Sequence, residues 1–326
     1  MVFKTGKTLL SVVCVLFLVS GMLFAEGQQD NAPIEAKISD ADTTVDFAEV
    51  QWTDINSTTA ATRIVLEAMG YDTTSKIVSV PIAFQAISTG DIDVFLGDWE
   101  PSMRSITRPL LEEGEIIDYK TNLTGAKYTL AVPRYVADAG VTSFKDLAEH
   151  GEKFNYRIYG IEPGNDGNIL IQQMIDSNAF GLGDFELIES SEAGMLAEVQ
   201  AVTKNDEWII FLGWAPHPMN TVFDIEYLAD GDDYFGPDFG AATVHTITRV
   251  GYAAENPNLG RFFKNLEFTL DMEGEIMKMI ADGMTAMDAA EAWLAENPAI
   301  LDSWLKGVKA VDGRDALPVV RESLNI

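Results

Sequence analysis

Residues 156–168 read YRIYGIEPGNDGN, a β-like run followed by a loop of turn-forming residues. Tyr156–Ile161 predict a strand, and a helix is expected to begin near Gly167. The same alternation of short β-like runs and amphipathic stretches continues along most of the chain. It predicts an α/β fold, and repeated strand–helix–strand units favour a parallel sheet with right-handed crossovers.

Further β-like and helix-like runs complete the predicted elements. The other predicted strands are Asp46–Gln51, Ile77–Val80, Ile92–Leu96, Tyr128–Val132, Phe185–Glu189 and Trp208–Leu212. The clearest helical patterns are Ser57–Met69, Leu259–Leu266, Glu273–Ala281 and Ala286–Lys306. The chain has 326 residues, and single hydrophobic cores stop growing at about 250–300 residues, so two lobes are expected.

Acidic residues dominate the charge of the chain. It has 51 Asp and Glu against 22 Lys and Arg, a formal net charge of −29, with 47 % hydrophobic residues. The apolar content excludes a disordered chain. Binding to nucleic acid or to an anionic membrane surface is disfavoured, because both need clustered basic residues. The charge either raises the association rate of cations or forms a solvated surface suited to salty surroundings, and we favour the second interpretation.

The first 25 residues are typical of a secretory signal peptide. Lys4 and Lys7 form a basic start, Leu9–Phe24 is an apolar run, and Ala25 precedes a polar stretch. This order of regions predicts cleavage after Ala25, with an uncleaved anchor helix as the alternative. No other segment has an uninterrupted apolar run of about 18 residues, so none is expected to span a membrane.

Cys14 is the single cysteine of the chain, and it lies inside this apolar run. A lipid-anchored cysteine would follow a small residue at the end of the run, whereas Val13 precedes Cys14 and apolar residues continue after it. Lipid anchoring is therefore not expected. A mature chain without cysteine fits an exported protein and excludes thiolate metal sites and thiol catalysis.

Three tryptophans follow predicted strands, in turns rich in glycine, proline and aspartate. Trp52 follows the first strand, Trp99 lies in GDWEP, and Trp214 lies in GWAPHP. Ligands of open α/β sheets bind outside the carboxyl ends of the strands. One loop tryptophan more often covers the core, but three at equivalent strand ends favour a site for a quaternary ammonium group. Such a group has no N–H to donate and binds through cation–π attraction of about 0.5–2 kcal/mol per ring.

Asp54 and Asn165 each allow two interpretations. Asp54 is placed to cap the helix that begins near Ser57, and Asn165 to cap the helix that begins near Gly167. Alternatively, both side chains hydrogen-bond a ligand hydroxyl, and Asp54 adds a compensating negative charge. The remaining tryptophans lie within predicted elements and are expected to pack in the core or between domains: Trp208, Trp293 and Trp304.

Seven segments together resemble one family. In chain order they are VQWTDI, DVFLGDWEPSM, GAKYTLAVP, YGIEPGNDGN, FLGWAPHPMN, DDYFGPDFG and KNLEFTLDMEGEIM. They are similar to the periplasmic substrate-binding proteins of quaternary-ammonium ABC importers, and most similar to the choline-binding branch. The resemblance extends from about Val45 to Lys306, and GIEPGNDGN with FLGWAPHPMN is its most specific part.

The resemblance implies the two-lobed periplasmic-binding-protein fold of type II, with a ligand cleft between the lobes. Lobe 1 is expected to comprise residues 43–124 and 223–326, and lobe 2 residues 125–222. The family's aromatic box falls on four residues here, two from each lobe. The box and the pair expected to hold the ligand hydroxyl are Trp52, Trp99, Tyr128 and Trp214, with Asp54 and Asn165. Tyr128 enters by resemblance alone, because KYTLAVP otherwise predicts a plain strand.

The function implied is the capture of choline in the periplasm and its delivery to an ABC permease of the inner membrane. A monomer is expected, with no cofactor, no metal and no nucleic acid. Glycine betaine or proline betaine is the alternative ligand. We favour choline because a betaine carboxylate would meet Asp54 as a like charge, at a cost in repulsion and desolvation.

Two other function classes remain open at this stage. Of the three histidines, only His217 is placed near the cleft, and no Walker, GxGxxG, HExxH or GxSxG motif occurs. A secreted carboxylate-based hydrolase is the remote alternative, and its candidate acids are Asp91, Asp93, Glu112 and Glu113. A chemoreceptor-linked sensor that uses the same lobes is the third class.

Overall fold

A computed structural model describes residues 40–326, and a nine-stranded sheet runs through this part of the chain. The predicted signal peptide and Cys14 lie outside the described residues. The strands are β1 Thr44–Glu49, β2 Asp72–Ile77, β3 Val94–Glu100, β4 Ile116–Pro133, β5 Arg157–Tyr159, β6 Glu186–Ile188, β7 Phe211–Ala215, β8 Ile225–Tyr227 and β9 Ala241–Arg249.

The helices lie between these strands and after the last of them. They are α1 Thr53–Ala68, α2 Val80–Thr89, α3 Arg104–Glu113, α4 Arg134–Asp138, α5 Asp166–Asp176, α6 Glu192–Thr203, α7 Met219–Val222, α8 Asp232–Phe235, α9 Pro237–Gly240, α10 Tyr252–Glu255, α11 Pro257–Asn265, α12 Leu270–Ala281, α13 Ala286–Glu296, α14 Ile300–Trp304 and α15 Ala316–Leu324. Three 3-10 helices span Phe144–Asp146, Ala148–Phe154 and Ala179–Asp184.

The sheet is mixed, with strand order β2-β1-β3-β9-β4-β7-β5-β6 and β8 paired to β4. Its two ends are parallel, since β1 pairs in parallel with β2 and β3, and β5 with β6 and β7. The middle is antiparallel, because β9 runs opposite to both β3 and β4, and β4 runs opposite to β7. The α/β class is confirmed, whereas the expected parallel pairing holds only at the two ends of the sheet and is wrong for its middle. Strand β9 was not predicted, and it reverses the direction at the centre.

Strand β4 connects the two parallel ends. Its first part pairs with β9, and its second part, from Lys127 to Ala131, pairs with β7. The pairing with β9 is irregular between Thr121 and Leu123 and again between Leu123 and Ala126. Gly125 lies in the irregularity between Leu123 and Ala126 with a φ of 80°, a conformation that glycine adopts without steric cost.

Two predicted elements differ from the structure for local reasons. Ile77–Val80 is not a strand: β2 ends at Ile77, and helix α2 begins at Val80 with Pro81 in its first turn. Strand β2 was missed because it pairs only with β1 and is largely exposed, so it lacks an apolar alternation. The predicted long helix Ala286–Lys306 is two helices, interrupted around Pro298, which has no N–H to donate.

The three tryptophans that were expected to be structural all pack against other parts of the protein. Trp304 is fully buried, and its ring meets Phe268 edge-on with centroids 5.7 Å apart. Trp293 is buried and donates to Glu275. Trp208 is half-buried against Phe154. The described residues belong to one compact unit, and between residues 40 and 326 no helix has the length and apolar character to cross a membrane.

Candidate functional site

A small cavity lies where strands β3, β4 and β7 meet the beginnings of α1 and α5. Its volume is about 20 Å³, a little more than the about 10–15 Å³ that one water molecule needs. All six residues predicted for the site line it, together with Ile161 and Asp166. The lining residues are Trp52, Asp54, Trp99, Tyr128, Ile161, Asn165, Asp166 and Trp214.

Backbone pairing places three of the four rings of the aromatic box. Trp99 is the second-last residue of β3 and Trp214 the second-last residue of β7, so both lie in strands and not in the predicted turns. Tyr128 in β4 lies directly opposite Trp214 in the antiparallel ladder. Trp52 is in the loop that precedes α1 and is the N-cap residue of that helix. Four separate elements therefore each contribute one ring.

The rings of the aromatic box stand at steep angles to one another. Trp99 and Tyr128 have centroids 6.0 Å apart and an interplanar angle of 60°. Tyr128 and Trp214 are 6.3 Å apart at 82°. The four side chains are buried, with exposures between 3 % and 6 %. Edge-to-face packing of this kind makes walls of an enclosure and not a stack.

The polar edges of these rings are fixed by hydrogen bonds. Trp52 Nε1 donates to Glu162 Oε1 at 2.8 Å, and Trp99 Nε1 donates to Asp54 Oδ2 at 3.1 Å. The Tyr128 hydroxyl donates to Asn165 Oδ1 at 3.0 Å. Because these three N–H and O–H groups already have acceptors, the rings of Trp52, Trp99 and Tyr128 are held in place without a ligand.

Asp54 does not cap helix α1. The helix begins at Thr53, Asp54 lies in its first turn, and no side chain makes a capping hydrogen bond. The Asp54 carboxyl is 4 % exposed, and its Oδ1 has no hydrogen-bond partner among the described residues. Burial, and secondarily the charge of Glu192, raise the pKa of Asp54 to about 7. A positive charge in the cavity would favour its ionised form.

Asn165 caps α5 and also lines the cavity. Its Oδ1 accepts the backbone N–H of Asn168 at 3.1 Å, in addition to the Tyr128 hydroxyl. Its amide donates to Asp166 Oδ1 at 3.0 Å. Capping and contact with the site are therefore compatible, and the same bonds hold Tyr128 and Asp166 in position.

Sequence reasoning missed several acids in and around the cavity. Asp166 lines it, and burial raises the pKa of this carboxyl to about 6. Burial also raises the pKa of Glu162, which accepts from Trp52. Farther out, burial raises the pKa of Asp98 and of Glu273 well above the usual range, and neighbouring carboxylates add to both shifts. The signal available in the sequence was NDG, which indicated only a turn.

Glu192 joins two elements beside the cavity. The Glu192 carboxylate, in α6, accepts the backbone N–H of Thr53 at 3.0 Å and also the Thr53 hydroxyl. It therefore provides an acceptor for the first backbone N–H of α1. His217 Nε2 lies 3.2 Å from Glu192 Oε1, while His217 Nδ1 accepts the N–H of Met219. The His217 ring packs on Trp214 with centroids 4.8 Å apart. His217 thus lies behind the aromatic box and does not line the cavity.

Across residues 40–326, no group of three or more His, Cys, Asp or Glu side chains is arranged to hold a metal ion. The chemistry that the cavity offers is aromatic faces with unpaired carboxylate oxygens, which suits an organic cation.

Comparison with known proteins gives a consistent result. The family described as the substrate-binding domain of ABC-type glycine betaine transport systems matches residues 43–296. A solved ABC-transporter choline-binding protein in complex with choline is 48 % identical, with a TM-score of 0.85, over 86 % of this chain and 98 % of that chain. A structure of an ABC-transporter choline-binding protein in an unliganded semi-closed conformation is also 48 % identical, with a TM-score of 0.80, over 87 % of this chain and 99 % of that chain.

A more distant solved structure represents the betaine binders. Lactococcal OpuAC, closed around glycine betaine, is 26 % identical with a TM-score of 0.74, over 81 % of this chain and all of that chain. The type II periplasmic-binding-protein fold is therefore shared with binders of both ligands.

Proposed function

The chain belongs to the family of substrate-binding domains of ABC-type glycine betaine transport systems, and from this premise we propose that it captures choline for an ABC permease. Members of this periplasmic type of family bind a solute and pass it to a transporter, so the chain is a binding protein and not an enzyme. The observation that carries the choice of ligand is the cavity lined by the aromatic box and by Asp54, whose Oδ1 has no hydrogen-bond partner among the described residues.

The aromatic box suits the trimethylammonium end of choline. This group has no N–H and a diffuse charge, so aromatic faces and apolar contact are its best partners. Each ring contributes about 0.5–2 kcal/mol, toward the upper end where water is excluded. The four rings are buried, which favours the upper end. A neutral ligand of the same shape would keep the apolar contact and lose the electrostatic part.

The alcohol end of choline would bind to Asp54 and Asn165. In the described part of the chain, Asp54 Oδ1 has no hydrogen-bond partner, so it is available to accept the choline hydroxyl. A betaine carboxylate would instead face the Asp54 carboxyl as a like charge. The 48 % identity to choline-binding proteins, against 26 % to the glycine betaine binder, points the same way. Glycine betaine remains the second candidate because the family description includes it.

A ligand can enter only if the site opens, because all the lining rings are buried. We infer that the predicted lobes separate about β4 at Gly125, where the pairing is irregular and φ is positive. The predicted lobe boundary near residue 222 is less suitable as the second hinge, because β8, which follows it, still pairs with the second half of β4 in lobe 2. The run Gly236–Gly240, which holds four positive-φ residues, is the better place for the second crossing.

Two hydrogen-bonded contacts would then close the cleft. The first is the Trp52–Glu162 bond, and the second is the pair of bonds from Thr53 to Glu192. Each joins a residue of predicted lobe 1 to one of predicted lobe 2. Residues 1–25 would direct export to the periplasm, and the closed form would be recognised by the permease.

The test is a set of titrations of the mature protein, followed by tryptophan fluorescence and calorimetry. Choline, glycine betaine, carnitine and the neutral isostere 3,3-dimethylbutanol are compared. We expect saturable binding of choline, weaker binding of betaine and little binding of the neutral alcohol. Tighter binding of betaine would move the assignment to an osmoprotectant carrier. A flat calorimetric response to every ammonium ligand would overturn the proposal.

Asp54→Asn is expected to narrow the preference for choline over glycine betaine, because the amide removes the like charge that a betaine carboxylate meets. A change of about tenfold in the ratio of the two dissociation constants corresponds to about 1.4 kcal/mol. Both constants are measured by calorimetry at one pH. An unchanged ratio would contradict the role assigned to Asp54.

A further inference from the structure

Asp166 is a buried carboxylate at the cavity that the contacts proposed above do not use. It is 1 % exposed, in the first turn of α5, and it lines the cavity. Its Oδ1 accepts the Asn165 amide at 3.0 Å, while its Oδ2 has no partner among the described residues. The Ser102 hydroxyl donates to the Trp99 carbonyl and lies close enough to Asp166 to lower the pKa of its carboxyl, although burial outweighs this effect. A buried carboxylate oxygen without a partner costs desolvation free energy unless a ligand supplies the missing hydrogen bond or positive charge.

No positive side chain compensates this charge. Within residues 40–326, none of the ion pairs of the structure includes Asp166. The titratable groups that face it are acidic or phenolic and come from several elements. They are Glu162 in the loop before α5, Asp98 in β3, Tyr128 in β4 and Asp54 across the cavity in α1.

We propose that Asp166 is a specificity-determining residue whose carboxylate supplies the charge that selects cationic ligands over neutral ligands of the same shape. The proposal rests on the proposed function and deepens it, because it assigns charge selection to a residue other than the aromatic box and Asp54. The rings recognise the shape and the face of the ammonium group. When it is ionised, Asp166 adds a negative charge in a buried wall of the cavity, where electrostatic interactions are stronger than in water.

If Asp166 selects cations by its charge, the affinity for choline depends on pH. Burial raises the pKa of Asp166 to about 6 and that of Asp54 to about 7, so the empty site holds protons in mildly acidic solution. A bound cation favours the ionised carboxylates, and the protons are released to solvent. Choline affinity therefore falls as the pH is lowered through this range, by up to tenfold per pH unit for each proton released. A neutral isostere has no such dependence.

The experiment compares Asp166→Asn with Asp184→Asn. The first keeps an acceptor for the Asn165 amide and removes only the charge. The second removes a charge at an exposed position that makes no ion pair within residues 40–326. Calorimetry with choline and with 3,3-dimethylbutanol, at about pH 5.5 and about pH 8, gives the affinity ratio and the protons released. At the higher pH, Asp166→Asn is expected to lower the ratio at least about tenfold. Asp184→Asn is expected to leave it unchanged.

Each outcome decides the proposal. Equal weakening of both ligands would give Asp166 a structural role only and overturn it, as would an unchanged ratio. Should Asp166→Asn not fold, Asp54→Asn carries the test, because its choline affinity must still fall below about pH 6 with one proton released. A pH-independent affinity in that variant overturns the proposal. Failure of the wild-type protein to bind choline would instead contradict the proposed function itself.

Discussion

Buried carboxylates distinguish this cavity from an ordinary aromatic core. Asp54 accepts the Trp99 indole N–H with one oxygen, and its other oxygen has no partner within residues 40–326. Asp166 likewise accepts the Asn165 amide with Oδ1, while its Oδ2 has no partner among the described residues. A core built only for stability would pair or remove such groups, because desolvating them costs free energy. Their retention beside four aromatic rings is physically consistent with a cation as the missing partner.

At the scale of single residues, Asp54 is expected to make the ligand-free protein less stable as the pH rises. Its folded pKa of about 7 lies above the ordinary value of 3.8, so the folded protein keeps a proton that the unfolded chain has lost. Stability therefore falls between these two pKa values as the pH increases. Relative to Asp54→Asn, the wild type should lose about 2 kcal/mol between about pH 5 and pH 7.5.

Urea unfolding of the two proteins without choline measures this difference. Comparison with Asp54→Asn cancels the titration of the many surface acids, which the two proteins share. Parallel stability curves would show that Asp54 is ionised in the empty site and that the prediction is wrong.

At the scale of elements, the beginnings of two helices create the polar end of the cavity. Helix α5 approaches β4 closely because Gly167 has no side chain: a Cβ there would overlap the Tyr128 hydroxyl and lie 2.8 Å from Tyr128 Cζ. The beginning of α1 is held by Glu192 from α6. The start of α5 was predicted from its turn residues, whereas α1 begins at Thr53, four residues before the predicted Ser57. The approach of both helices to β4 depends on packing between distant segments.

Gly167→Ala is therefore expected to displace Tyr128 and weaken choline binding at least about tenfold. Gly274→Ala in α12 is the matched control, because a Cβ there meets nothing within 4 Å. The control should leave affinity unchanged and add up to about 1 kcal/mol of stability through helix propensity. Titration calorimetry and thermal unfolding of both variants test this. Wild-type affinity in Gly167→Ala would mean that α5 can move away without consequence for the site.

At the scale of the whole molecule, the net charge of −29 bears on stability more than on ligand capture. Like charges at the surface repel one another, and salt screens exposed charges much more than buried ones. Raising sodium chloride from about 0.05 M to about 0.5 M, where the screening length falls below about 5 Å, should increase the melting temperature. The choline association rate should change by less than about threefold, because the site is buried and choline has a single charge.

Stopped-flow fluorescence of the tryptophans gives the association rate, and calorimetry gives the melting temperature. A tenfold or greater fall in the association rate would favour the other interpretation of the charge, which is electrostatic attraction of cations. Potassium chloride serves as a control for a specific effect of sodium.

Local patterns in the sequence determined the α/β class, most strand positions and the three tryptophans beside the ends of β1, β3 and β7. These features follow from neighbouring residues, since turn residues and apolar runs act over a few positions. Tyr128 required resemblance to a family, because its segment is otherwise an ordinary strand. The tertiary structure alone decided the antiparallel centre of the sheet and the burial of Asp166 without a positive partner. Both depend on which distant segments meet, as when β9 pairs with β3 and β4, and no local pattern encodes such a meeting.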